Sequence, residues 1–241
     1  MAKAKLDLTR NGHLTQARAI IGDIKGDAAA TRSRLASIVE AAGPKALTGF
    51  DKAVLGGIGK MRKKTLDYIT FGKEEVFDNI LTRVQEAEHQ ELSKEAVSRI
   101  RGLLDGEDSF KGVTFQKRLD QGVRRAVSAA KIDIIGGRPM AAVDRLSMRG
   151  KFGHGISLEK WTERLLFSEL NRYAQHLELE LLREMGYTQF VWVLSAMHAK
   201  LTHVKNEVCE VHAKAGPYSY KKMLKLMPPH PYCMCHPEGV E

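Results

Sequence analysis

Cysteine is scarce in this chain: three residues in 241, two of them one residue apart in "MPPHPYCMCHPEGVE" and the third in "EVCEVHAKAG". So few, and an odd number, excludes the disulfide framework of a secreted chain and points to reduced thiols or metal-bound thiolates. Long apolar runs are missing as well. Nothing approaches the roughly 20 residues that cross a bilayer, and the opening "MAKAKLDLTR" lacks the apolar centre of a secretory signal. The expectation is synthesis in the cytoplasm, with no membrane partner. Phosphate loops are absent too: "GGIG" and "IIGG" lack the spacing and the Lys-Ser/Thr of a nucleotide cradle. No His-Glu-x-x-His helix and no deaminase His-x-Glu with Pro-Cys-x-x-Cys occurs, so the expectation is a protein that is not an enzyme.

An acidic excess is also lacking. The formal charge is +9, which favours polyanionic partners. Much of the excess is local: Lys111 to Lys151 holds ten Lys or Arg against three Asp. On a helix over "TFQKRLDQGVRRAVSAAKID", Lys117, Arg118, Arg124, Arg125 and Lys131 share one side. Phe115, Leu119, Val123, Ala126 and Ala130 share the other. Such a face is either a solvated surface or a site for sequence-blind contact with double-stranded DNA phosphates. No base-reading element accompanies it.

What is present in quantity is helical periodicity. Apolar residues recur at three and four residue intervals from Ala17 to Ala42, before "GPK" stops the pattern. "AVLGGIGKM" reads as a flexible joint or a close backbone contact, because each helical glycine costs about 1 kcal/mol relative to alanine. A second apolar face begins near Glu74 with Val76, Phe77, Ile80, Leu81, Val84 and Ala87, and Ser93 caps a shorter helix through Leu104. Pro139 starts another short helix. "SLEKWTERLLFSELNRYAQHLELELLREMG" carries a stripe of Trp161, Leu165, Leu166, Leu170, Tyr173, Leu177 and Leu181, with Gly186 where a left-handed cap belongs. "YTQFVWVLSA" then reads as a strand, and its partner is expected in the tail around "YCMCHP".

That pairing brings the sulfurs together. Cys209 and His212 form a Cys-x-x-His pair. His230, Cys233 and Cys235 form a His-x-x-Cys-x-Cys cluster, and on an extended segment Cys233 and Cys235 point the same way. The spacing suits one structural zinc held by Cys209, His212, Cys233 and Cys235, with His230 as a substitute or outer partner. The alternative is three buried thiols that merely pack the tail. A hydrolytic zinc would need a carboxylate, for which Glu207 or Glu210 is available. His198 and His203, five residues apart, read as surface histidines.

These features together resemble the phage Mu F-like minor head proteins, also called head morphogenesis proteins. The helix from Arg164 to Arg172 matches that family's helix motif around Glu169, Trp192 its strand, and His230, Cys233 and Cys235 its Pro-Pro-x-His-Pro-x-Cys-x-Cys ending. The sequence departs from the pattern at His212, where the family has Cys, and at Phe167 and Ser168. The resemblance covers residues 110 to 236. It implies a virion component at the portal vertex or capsid interior, bound to portal or major capsid protein and acting in head assembly and DNA packaging or ejection. The expected fold is mainly α: an extended helical arm over 1–108 and a compact α+β unit over 109–241 with a small β element and a Cys/His knot. The other reading is a zinc-stabilised, non-specific nucleic-acid-binding protein with no virion role.

Overall fold

The structure, a computed structural model, describes residues 47–106, 109–110, 113–136, 138, 141, 151–152, 156–195, 208–227, 233 and 235–240. The helix expected from Ala17 to Ala42, the start of the helix at Pro139, and His198, His203, Glu207 and His230 lie outside the described residues. The chain is mainly helical, as its periodicity predicts, with one small three-stranded sheet and a cluster of cysteines.

Helix α1 (Leu47–Glu88) is followed by α2 (Lys94–Gly106), the short strands β1 (Ser109–Phe110) and β2 (Val113–Thr114), and α3 (Phe115–Ile135). Strands β3 (Lys151–Phe152) and β4 (Ile156–Ser157) lead into α4 (Leu158–Glu184). Then come β5 (Gln189–Val193), α5 (Val208–Ala215), β6 (Tyr218–Ser219), α6 (Tyr220–Leu226) and β7 (His236–Val240). The glycine-rich "AVLGGIGKM" lies inside α1, so the expected joint is continuous helix that runs on into the periodic segment from Glu74. Close packing does not explain Gly59 either: a Cβ at this position meets nothing within 4 Å.

Packing groups the chain into two units that interleave along the sequence. One joins Phe71–Gly112 to Phe167–Glu241, and the other joins the described residues up to Thr70 to Val113–Leu166. The arm expected over 1–108 is therefore divided between both units, as is the compact unit expected over 109–241. Periodicity shows where a helix runs and which face is apolar, but not which distant helix it lies beside.

In the second of these units α3 buries Phe115, Leu119, Ala126 and Ala130. Gly122 admits the Trp161 indole so closely that a Cβ there would lie 2.3 Å from the ring. Arg62 on α1 donates to Asp120 on α3 at 2.6 Å.

In the other unit α1 contributes Val76, Phe77, Ile80 and Val84 to the core, and α2 contributes Ala96, Ile100 and Leu104. Ser93 caps α2 as expected, its hydroxyl accepting from the Ala96 amide at 3.2 Å. Helix α4 is buried at every residue from Glu169 to Leu182. The predicted stripe is buried from Leu165 onward, but so is the opposite, polar side: Glu169, Arg172, Gln175, His176, Glu178 and Glu180. The helix ends at Gly186, which takes the expected left-handed conformation at φ 101°.

The sheet has the order β6-β5-β7, with β5 antiparallel to both neighbours. The predicted pairing of the strand after Gly186 with the tail is present, in the register Gln189↔Val240 to Val193↔His236. β7 is an edge strand, so Pro237, which has no amide to donate, is tolerated opposite Trp192. Phe190 and Trp192 turn inward and are fully buried.

Candidate metal centre

The register of β5 and β7 decides where the cysteines fall. Because Val193 pairs with His236, the residue before it, Cys235, sits just beyond the end of the strand pair, with Cys233 two residues further. Cys209 arrives from the other side, on the first turn of the short helix α5. The three sulfur atoms all lie within 4.8 Å of one another, and those of Cys209 and Cys233 are 3.5 Å apart. All three residues are buried and none is in a disulfide.

This spacing matches what a metal needs. Zn–S bonds of about 2.3 Å set at tetrahedral angles separate neighbouring sulfurs by about 3.8 Å. Three close, buried cysteines on two separate chain segments can therefore hold a metal ion with small adjustments.

The electrostatics of the thiols point the same way. Hydrogen bonds to Cys233 and Cys235, followed by burial, push the Cys209 thiol far above its ordinary range. At Cys233 the hydrogen bond from Cys209 favours the thiolate. The hydrogen bond to Cys235 and burial outweigh it and push the group up to about 12. Closely spaced thiolates repel one another in a dry pocket, so without a cation the Cys209 and Cys233 sulfurs stay protonated. A divalent ion inverts that preference, since a coordinating thiol gives up its proton outright.

The segment carrying Cys233 and Cys235 is fastened from behind by α4. The Gln175 side-chain amide donates to the Cys235 carbonyl at 2.7 Å and to the Cys233 carbonyl at 3.2 Å. Gln175 is 1% exposed. The sequence reading missed it, because a glutamine on a helix otherwise rich in Glu and Arg reads as solvated surface. The only available signal was its position beside the predicted stripe, one residue before His176.

Of the five metal ligands expected from the sequence, Cys209, Cys233 and Cys235 are together. The His212 ring is not among the mutually close donor atoms, although its helix carries Cys209. His212 is tied down instead by its backbone carbonyl, which accepts from the Tyr218 hydroxyl at 3.0 Å. His230 lies outside the described residues.

A second polar cluster lines α4. Arg172 donates to Glu169 at 2.7 Å with both groups buried, and the Lys73 ammonium stands 3.9 Å from the same carboxylate oxygen. Arg83 of α1 is paired with the buried Glu178, and the Tyr220 hydroxyl donates to Glu180. Burial pulls the His176 imidazole down to about 4, helped by the neighbouring Arg172 and opposed by Glu169 and a hydrogen bond to the Met227 backbone.

The basic helix α3 is described separately. Lys117, Arg124 and Arg125 are exposed, whereas Arg118 and Lys131 are half-buried. The two described acidic residues of this stretch are engaged: Asp120 with Arg62 of α1, and the buried Asp133 with Arg138 at 2.9 Å.

No protein-family model matches the chain, and no curated protein or solved structure shows significant similarity to it. No helix among the described residues is long and apolar enough to cross a membrane.

Proposed function

We propose that this chain is a structural minor head protein of a tailed-phage virion, held at the portal or the capsid interior, without enzymatic activity. In this reading its C-terminal fold is fastened by one zinc ion. The supporting observation is the closure of the tail. The strand "FVWV", one of the motifs on which the resemblance to the F-like minor head proteins rests, pairs with the strand His236–Val240 that directly follows Cys235, the last residue of the family's cysteine ending. A third, the helix segment around Glu169 and Arg172, runs into the Gln175 contact behind them. Motifs far apart in the chain thus form one mechanical unit, which is the expectation if they serve a single structural purpose.

Zinc is the metal that suits this donor set, because soft thiolates in a closed, buried pocket favour a structural zinc over hard cations. Cys209, Cys233 and Cys235 supply three ligands; the fourth comes from His230 or, once its ring swings out of the position it holds here, from His212. The test of the virion role is a mass-spectrometric inventory of purified particles with crosslinking to the neighbouring subunit. The reading predicts a low-copy protein crosslinked to portal or capsid protein, and its absence from particles overturns it.

The exposed Lys117, Arg124 and Arg125 favour a second reading, a zinc-stabilised protein that binds double-stranded DNA without sequence preference. It predicts retardation of random duplex DNA that weakens as salt rises, since phosphate contacts release counterions. It also predicts no association with portal protein. The two readings share the metal centre and differ in the partner.

A further inference from the structure

Metal-binding cysteines on a proline-flanked tail face an entropic problem: the segment must be held in a chelating shape before the ion arrives, or ordering it weakens binding. Here the holding group comes from another element. Gln175 lies on α4, 58 residues before Cys233, and its one amide nitrogen reaches both carbonyls of the Cys-x-Cys segment. Only the NH₂ end can donate to two carbonyls, so these contacts fix the orientation of the side-chain amide without ambiguity.

The carbonyls of Cys233 and Cys235 are thus both anchored to one nitrogen. Held in this way, the peptide groups of Cys233 and Cys235 cannot rotate freely. The two thiols that branch from it stay on the side where Cys209 waits, 3.5 Å from Cys233. The contact is dry, because Gln175, Cys233 and Cys235 are all at most 2% exposed, so water does not compete for the carbonyls. A carbonyl hydrogen-bonded in this way plays the role of the outer partners that orient metal ligands in general.

We propose that Gln175 is the positioning residue of the metal centre: by donating to the carbonyls of Cys233 and Cys235 it assembles the three sulfurs ahead of metal binding. This rests on the reading of the cysteines as a metal site. It goes beyond that reading by assigning the affinity to a side chain that is not a ligand, on a helix far from the cysteines in sequence.

The experiment is cobalt titration of the reduced full chain, read by the tetrahedral d–d bands and the sulfur-to-cobalt charge-transfer band, with zinc competition to obtain the affinity. Gln175→Met removes both donors and keeps length and apolar packing, while Gln175→Glu replaces donors with acceptors. Wild type is expected to take one equivalent, and both variants to bind about 10 to 100-fold more weakly, the usual effect of losing an outer partner. A purely structural role would lower the melting temperature of the metal-free protein and leave the affinity of the folded variants unchanged; that result overturns the proposal. If wild type takes up no cobalt, the metal reading itself is wrong and the proposal falls with it. Should both variants fail to fold, NMR of the metal-free wild type decides. Slow solvent exchange of the Gln175 side-chain amide protons, with contacts to the Cys233–Cys235 backbone, supports the proposal, and fast exchange without them overturns it.

Discussion

At the residue scale, the chemistry of this protein is concentrated in side chains whose surroundings differ from what their type suggests. His176 is the clearest case. Buried in α4, it titrates near 4 instead of its ordinary 6.5, chiefly through burial. A histidine whose folded value is depressed must be neutral to remain in place, so between pH 6.5 and 4 the unfolded chain binds the extra proton. Stability therefore rises with pH across this window and is lost as pH falls through it, by about 3 kcal/mol in all. Denaturant unfolding at pH 7 and pH 4.5 should show a loss that is smaller in His176→Asn than in wild type. An identical loss in both would remove His176 from the account. The burial of His176, Glu169 and Gln175 was not legible in the sequence. A Glu or Gln on a helix face carries the same letter whether it meets solvent or another chain segment, and only the cysteines, rarely solvated at all, announced their burial.

At the scale of elements, two features carry the fold around the site. The first is the packing of α1 against α4 through Arg83 and Glu178, a pair whose carboxylate side is almost wholly enclosed. Replacing one partner leaves the other charged and buried, so Arg83→Met is expected to destabilise by about 3 kcal/mol. Arg83→Met combined with Glu178→Leu should recover much of that loss, as measured by urea unfolding. The second is the edge strand β7. Gly239 lies under the Tyr187 ring so closely that a Cβ would stand 2.4 Å from it, and the Tyr187 hydroxyl is held by Glu88 at 2.6 Å. With the ring unable to move aside, Gly239→Ala should cost about 1 to 3 kcal/mol by overpacking, seen as a lower melting temperature. A neutral substitution would mean that β7 is not packed as described. Most elements were legible: α2 with its Ser93 cap, α3, α4 with its Gly186 end, and the pairing of β5 with the tail all follow from periodicity and turn chemistry. The continuity of α1 was not. Its glycines argue locally for a break, and the helix runs on through them.

At the scale of the whole chain, the unit carrying the cysteines gathers residues from the end of α1, from α2, from α4 and from the tail, a grouping no local pattern reports. Within it the sulfurs were the legible part of the candidate site, because scarce cysteines beside a predicted strand pair leave few ways to be used. The anchoring glutamine and the ion pairs along α4 were the illegible part, since they depend on which helices meet. The central claim is that Cys209, Cys233 and Cys235 hold one metal ion. Elemental analysis of the full chain, purified under reducing conditions without added metal, tests it directly when paired with thiol titration under denaturing conditions before and after chelation. The account predicts one zinc per chain in the wild type, three thiols released to titration, and loss of the metal in Cys209→Ser, Cys233→Ser and Cys235→Ser. Metal-free protein whose stability is unchanged by chelator and by added zinc would contradict it.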